Sequence, residues 1–414
     1  ARVRLTSISS HLSSADCMDS LHDSDICIVS TARTPQGSFN GKLATVSAPE
    51  LASVAIKGAL QKANVPPEAV DEVFLGNVLS AGIGQAPAKQ AATLAGLSSS
   101  CPCTTVNKVC ASGMKAIMFG IQSIQLGNNK IVLAGGMENM SQVPYILPKA
   151  RNGLRMGNAE IVDTMINDGL WDPYNDCHMG IAAEKCAEHF KFTREDQDKY
   201  CLESYRRAKE ATGRGYFTNE IVPVEVNVRG KKFFVDCDEE FSKVNINKVP
   251  ELKPAFQEGG TVTAANASSI SDGAAVVLLT NVKTAKERGL PIRAIVHSSA
   301  DACQEPMEFT TTPAKVIPKA LSRAKLTASD VDYYEINEAF SVVALANMKL
   351  LDIPANRINL YGGGVSIGHP IGCSGARIVV TLLSVLENTN TRTGVAAICN
   401  GGGGASALVI RRVS

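Results

Sequence analysis

The chain repeats itself. Ala59-Leu60-Gln61-Lys62-Ala63, followed by Val70-Asp71, returns 261 residues later as Ala320-Leu321-Ser322-Arg323-Ala324, followed by Val331-Asp332. Each copy reads as the end of a helix, a short loop and a strand: Glu72-Val73-Phe74-Leu75 in one, Tyr333-Tyr334-Glu335-Ile336 in the other. Ser112-Gly113-Met114-Lys115 pairs with Ser374-Gly375-Ala376-Arg377, each opening an apolar helix. The strand-then-glycine segments 131–136 and 396–401 form a third pair. Three echoes in one order imply two homologous halves. Alternating apolar strands and amphipathic helices predict an α/β fold of duplicated βαβ halves, with both sheet faces covered.

Residues 1–24 read as a tail, 25–285 as the first half and 286–414 as the second. The stretch from about 143 to 260 has no counterpart in the second half. It is more polar, holds the only tryptophan, Trp171, and carries basic runs at 229–232 and 243–248. It reads as an insertion folded over the first half, where such loops often form a substrate-binding lid. The first 15 residues contain Arg2, Arg4 and five serines but no acid, a composition like the end of a mitochondrial transit peptide.

At 414 residues the chain has room for two or three domains. Its net charge of +1 argues against a nucleic-acid partner, which calls for a clear basic excess. The 12 cysteines are scattered, with no CxxC pair and no zinc-finger spacing, so most read as free core thiols in a reducing compartment. No apolar run approaches the roughly 20 residues needed to span a bilayer.

Two of those cysteines stand in unusual turns. Cys110, in Val109-Cys110-Ala111-Ser112-Gly113, opens a long apolar helix. The helix dipole and free N–H groups there are expected to lower its pKa and leave a thiolate. Cys399 ends an apolar strand and precedes Asn400 and four glycines, Gly401 to Gly404. That run lacks the Lys-Ser/Thr of a P-loop and the spacing of a dinucleotide fingerprint, but its N–H groups can form an oxyanion hole. Between the two cysteines, His369 lies in Gly368-His369-Pro370, and an imidazole there can take and return a thiol proton. Taken singly, each of the three is as consistent with a structural role as with a catalytic one. Together they suggest acyl transfer through a thioester, because exchange between thiol esters is nearly thermoneutral. A second thiol is then free to serve carbon–carbon bond making or breaking.

The segments NKVCASGMKA (107–116), NEAF (337–340), GGGVSIGHPIGCSGAR (362–377) and CNGGGGAS (399–406) resemble those of the thiolases, in family order. The resemblance runs from about residue 25 to the end and implies a layered αβαβα core with an inserted loop domain that binds coenzyme A. It makes Cys110 the acylated nucleophile, His369 its activator and Cys399 the acid/base at the acetyl α-carbon. Asn337 would hold a water that joins His369 in one oxyanion hole, and the N–H groups of Cys110 and Gly401 would form the other. Glu338 and Phe340 are expected to support the site rather than react.

Within the family, Thr261-Val262-Thr263-Ala264-Ala265-Asn266-Ala267-Ser268 resembles the coenzyme and potassium loop of the mitochondrial acetoacetyl-CoA-cleaving members. That likeness implies a potassium ion on Tyr205 and the carbonyls of Ala264, Ala265, Ala267 and Val365. It places Ser268, Lys243, Val244, Asn245 and Lys248 against coenzyme A, and His178 and Met179 on the pocket wall. It further implies a homotetramer (a dimer of dimers) in the mitochondrial matrix, serving ketone-body, fatty-acid and isoleucine breakdown. The expected partners are acyl-CoA substrates, with no nucleic acid, no membrane, and no nicotinamide, flavin or transition metal. One departure stands out. Those members carry Phe-Pro in a pocket loop associated with 2-methyl-branched substrates, whereas here Phe309 is followed by Thr310. The reaction implied is reversible cleavage of acetoacetyl-CoA, or condensation of two acetyl-CoA. The alternative is a 3-ketoacyl-CoA thiolase of broader or longer chain specificity using the same residues.

Overall fold

The computed structural model describes residues 21–413. The transit-peptide-like composition of the first 15 residues lies outside the described residues. The first half runs β1 (Ile26–Arg33), α1 (Ala48–Ala63), β2 (Glu72–Gly76), α2 (Pro87–Leu94), β3 (Cys103–Val106), α3 (Ser112–Gln125) and β4 (Val132–Asn139). Next come α4 (Met179–Phe190), α5 (Arg194–Gly213) and a hairpin of β5 (Val224–Val228) and β6 (Lys231–Val235). The half closes with β7 (Ser271–Asn281). The second half runs β8 (Ala294–Cys303), α6 (Pro313–Arg323), β9 (Tyr333–Ile336), α7 (Ser341–Leu351), α8 (Ile371–Asn388), β10 (Thr393–Asn400) and β11 (Gly404–Arg412).

Strand order makes the duplication physical. The first half reads β3-β2-β4-β7-β1, with β3, β2 and β4 parallel and the later pairings antiparallel. The second reads β9-β10-β11-β8, with β9 and β10 parallel and the rest antiparallel. Its missing edge strand survives as one parallel bridge, Tyr334 to Ile358, in the place of β3. The halves join through two residue pairs of β1 and β8, Cys27 with Ile295 and Ile28 with Ala294. Register corrects one sequence echo. Glu72 pairs with Val132 and Tyr333 with Gly394, so Gly136 corresponds to Ile398 rather than Gly401. Short apolar runs ending in glycine match at several offsets, and only the ladder selects one.

Three apolar clusters divide the layers. One packs α1 and α2 on the outer face of the first sheet. Another packs α6 and α7 on the outer face of the second. Between the sheets lie α3 and α8, buried against strands of both halves. The result is the expected αβαβα sandwich. Strands covered on both faces read as unbroken apolar runs, as β4 and β7 do. Helix α8 has the length and mean hydropathy (1.3) to cross a membrane, yet 89% of it is buried inside the fold, as a central-layer helix must be. Glycines let α3 and α8 touch: a Cβ on Gly375 would lie 2.5 Å from the Met114 nitrogen.

Segment 143–260 does not simply cover the first half. Helices α4 and α5 lie against α7 and the Pro306–Thr311 turn of the second half. The β5–β6 hairpin packs Val224, Val226 and Val235 into the outer cluster of the first. Buried Arg33 of β1 ties that side down, holding Asp238 through two bonds of 2.7 and 2.9 Å and Glu220 at 2.6 Å. The segment bridges both halves, because α4 packs on α7 and the Pro306–Thr311 turn as well as on Val262 and Ala267, and α5 packs on α7 and Val365 as well as on Ala265.

Candidate active site

Cys110 sits at the end of a strained turn. Val109, a β-branched residue, has φ +48°, a conformation costing about 1–3 kcal/mol. Ser112 stitches the turn: its hydroxyl donates to the Val109 carbonyl at 2.6 Å and accepts from the Lys108 N–H at 2.8 Å. The turn holds Cys110 on the wall of a cavity of about 550 Å3, with His369 and Gly401 on the same wall. Phe256, Phe309, Phe340, Met179 and His178 make much of the remaining lining, and Phe39 and Lys243 stand at its solvent side.

The charge state of Cys110 departs from the sequence expectation. The Gly401 N–H bonds the Cys110 thiol and favours the thiolate, but burial outweighs it and pushes the pKa up to about 11. At neutral pH this cysteine rests as a thiol, so a reaction through its sulfur needs a base to take the proton. His369, on the same wall, has one nitrogen free for such a role. Its Nδ1 lies 2.5 Å from the Ser374 hydroxyl, which donates to the Pro370 carbonyl at 2.9 Å. With the single hydroxyl proton so used, Nδ1 carries the ring proton and Nε2 keeps its lone pair. Burial, with Arg377 nearby, lowers the His369 pKa to about 3, so the ring is neutral and free to accept.

Cys399 lies fully buried just behind the wall, in one cluster with Phe309, Phe340 and Met179. Burial, then the neighbouring Cys110, holds its pKa well above the ordinary thiol value. The residue is therefore a resting acid whose thiolate is a strong base. Behind it, Gly402 and Gly403 take φ +79° and +81°, which turns the chain sharply and leaves the Gly401 N–H facing Cys110.

Asn337 is buried, is not on the wall, and among the described residues has no partner for either atom of its amide. Such an orphaned pair calls for water or a ligand group. Glu338 is the opposite case: Tyr200, Ser204, Asn359 and the Val365 N–H all donate to it at 2.7–3.2 Å, which fixes it as a brace. A second buried carboxylate, Glu138, escaped the sequence reading. It accepts from the N–H groups of Val78, Leu79 and Gly372 and from the Asn77 amide, tying the loop after β2 to the start of α8. No local motif marks Glu138, since it acts through contacts the fold creates, whereas Ser374 lies within the segment 362–377, where its bond to His369 is not legible.

The expected binding residues divide in two. Lys243, Ser268, His178, Met179, Phe309, Ala264 and Ala267 line the cavity. Tyr205, Val244, Asn245, Lys248, Ala265 and Val365 do not. His178 caps α4, its Nδ1 accepting from Gly180 at 3.1 Å, and stacks on Phe256 at 4.7 Å. Asn245 spends its side-chain oxygen on the Asn247 N–H, and Lys248 is exposed. Tyr205, Ala265 and Val365 share one cluster with Cys201, Val249 and Val244. Asn266 shapes the adjoining loop by accepting from Thr263 and donating to Asp198 and Thr261. Ala264 and Ala267, the other residues expected around a cation, lie outside that cluster and on the cavity wall. The Ala265 carbonyl also accepts the Cys201 thiol at 3.1 Å.

Comparison with known proteins agrees with this geometry. The model of the thiolase N-terminal domain matches residues 26–283 and that of the thiolase C-terminal domain residues 290–412. Acetyl-CoA acetyltransferase 1 of Arabidopsis thaliana is 56% identical over 399 residues, 96% of this chain and 96% of that one. The mitochondrial acetyl-CoA acetyltransferase of Rattus norvegicus is 50% identical over 391 residues, 94% and 91% of the two chains. The crystal structure of Acat5 thiolase from Ascaris suum in complex with coenzyme A superposes with a TM-score of 0.90 at 44% identity, covering 94% of this chain and 100% of that one. With both domain models matched end to end and the two thiols, the imidazole and the glycine turn arranged around one cavity, this chain belongs to the thiolase family of acyltransferases.

Proposed function

We propose that the chain is an acetyl-CoA C-acetyltransferase that cleaves acetoacetyl-CoA and, in reverse, condenses two acetyl-CoA. The observation that carries this reading is the pairing of Cys110 and Cys399: two thiols within electrostatic reach, one on the cavity wall and one buried behind it. In cleavage, Cys110 Sγ attacks the 3-keto carbon and its proton passes to His369 Nε2. The carbonyl oxygen, now negative, is held by N–H donors and the Asn337-bound water. Collapse breaks the C2–C3 bond, and the Cys399 thiol protonates C2 as acetyl-CoA leaves. His369 then returns its proton to the Cys399 thiolate, and the neutral ring takes the thiol proton of a second coenzyme A, whose sulfur accepts the acetyl group. Cys110 then recovers its proton from His369.

The phenylalanine-lined wall near Cys110 favours a short acyl chain over the long-chain alternative. Lys243 and Ser268 are proposed to contact coenzyme A, joined by Val244, Asn245 and Lys248 once the nucleotide is seated. Potassium, held by Tyr205 and the carbonyls of Ala264, Ala265, Ala267 and Val365, would stiffen the loop bearing Ser268. A tetramer in the mitochondrial matrix remains part of the proposal. The rat relative is named mitochondrial and the Arabidopsis one is not.

The test is thiolysis of acetoacetyl-CoA, 2-methylacetoacetyl-CoA and a long-chain 3-ketoacyl-CoA, each in sodium and in potassium. Fastest turnover of acetoacetyl-CoA, stimulated by potassium, is expected. Preference for the long chain would replace this reading with the alternative, and indifference to potassium would remove the cation site. 2-Methylacetoacetyl-CoA is a further candidate substrate: its turnover would show that Phe309 suffices without a following proline, and its rejection would trace to Thr310.

A further inference from the structure

Cys110 is flanked by two lysines, Lys108 before it and Lys115 after it, and both reach across to the other half of the molecule. Lys108 Nζ bonds one carboxylate oxygen of Asp301, and Lys115 Nζ bonds the other at 2.8 Å. Asp301 belongs to β8 of the second half. The Ser406 hydroxyl donates to the same carboxylate at 2.7 Å and accepts from Lys108 at 2.8 Å. One carboxylate thus collects three donors, two of them charged, and Lys319 holds the backbone of the same residue by its carbonyl at 2.8 Å.

The strand register gives this cluster its direction. Asp301 of β8 stands directly opposite Ser406 of β11, and Ser406 directly opposite Ile398 of β10. The next residue on β10 is Cys399. Residues facing one another across a sheet share a face, so Asp301, Ser406 and Ile398 all point to the central helical layer, where α3 lies. The clasp therefore runs from the turn carrying Cys110 to β8 and β11, and β11 is paired along its length with β10, which carries Cys399. It also grips that turn at Lys108, immediately before the strained Val109, where a turn without an anchor would relax.

We propose that Asp301, acting through Lys108, Lys115 and Ser406, is a positioning residue that fixes the spacing of Cys110 and Cys399. It touches no substrate. Its effect falls on the step that needs both thiols, carbon–carbon cleavage or formation. Transfer of an acetyl group between two coenzyme A molecules draws mainly on Cys110 and is far less sensitive. This inference rests on the two-thiol reading given above.

The experiment compares two reactions of the full-length protein: thiolysis of acetoacetyl-CoA, and exchange of acetyl between acetyl-CoA and isotopically labelled coenzyme A. The variants are Asp301→Ala and Lys108→Met. The second leaves Asp301 paired with Lys115 and Ser406, and so guards against a folding failure. Both are expected to keep exchange within about 2-fold of wild type and to lose about 10-fold or more in thiolysis kcat, as for a reacting group moved by a fraction of an ångström. KM for acetoacetyl-CoA should change little, and Lys108→Arg, which keeps the charged donor, should restore thiolysis. An equal fall in both reactions, or no fall in either, overturns the proposal. A wild-type protein inactive on acetoacetyl-CoA overturns the substrate reading instead, and the comparison is then made on whichever 3-ketoacyl-CoA the wild type cleaves.

Discussion

His369 stands just before α8 and Ser374 in the first turn of that helix, 2.5 Å apart through Nδ1 and the hydroxyl, and the serine decides which imidazole nitrogen is basic. The hydroxyl gives its proton to Pro370, so it can only accept from Nδ1, and the free lone pair falls on Nε2. Ser374→Ala removes that constraint without opening the site. Thiolysis kcat should drop by about tenfold to a hundredfold, within the range of a disturbed general base, with the thermal midpoint nearly unchanged. Steady-state kinetics and a melting curve check it. An unaltered kcat would show that the ring is oriented by something else.

The resting state of Cys110 can be read by alkylation. Its pKa, pushed up to about 11 by burial, means that the thiolate fraction keeps rising with pH across the neutral range. The rate of Cys110 modification by iodoacetamide, followed by mass spectrometry, should climb about tenfold per pH unit from 6.5 to 8.5. A plateau near neutrality would instead reveal a preformed thiolate.

Neutral His369 also leaves a mark on stability. Its folded pKa is lowered to about 3, whereas the unfolded chain has an ordinary imidazole. Between those two values the unfolded state binds the extra proton, so stability must rise with pH across that window and fall as acid is added. His369→Gln should flatten this part of the stability–pH curve, measured by urea unfolding between pH 4 and 7. A curve of unchanged slope would mean that the ring is protonated in the fold.

The contact between α3 and α8 predicts a steric cost. Gly375→Ala places a methyl 2.5 Å from the Met114 nitrogen and 3.0 Å from its Cβ, both in the central layer. Helices packed on two sheets cannot shift freely, so a loss of about 1–3 kcal/mol is expected from a chemical denaturation curve. Full stability would show that the layer is looser than its burial implies.

The duplication and the candidate trio of Cys110, His369 and Cys399 were legible because they are local. A helix end, a glycine turn and a cysteine after an apolar strand are written in consecutive residues. What the sequence concealed depends on distance or environment. The fall of the Cys110 pKa was expected from the helix N-terminus, but the sign reversed because burial exceeds what two N–H groups return. The third echo was set three residues out of register, since only the pairing of β10 with β9 distinguishes the offsets. Segment 143–260 was recognised as extra, yet its grip on the second half comes from α4 and α5 meeting α7. Asp301 lies 193 residues from Lys108, and no pattern in either neighbourhood announces the other.

The two-pair seam between β1 and β8 is a narrow joint for halves that share so much. What unites them is the central layer and the single cavity it frames, with one thiol contributed by each copy. Gene duplication ordinarily frees a spare copy to wander. Under the proposed mechanism neither copy is spare: each keeps one half of a reaction and surrenders the other, so a lesion in either is expected to silence both. The chain inherits its chemistry as an indivisible pair, although its architecture was made by repetition.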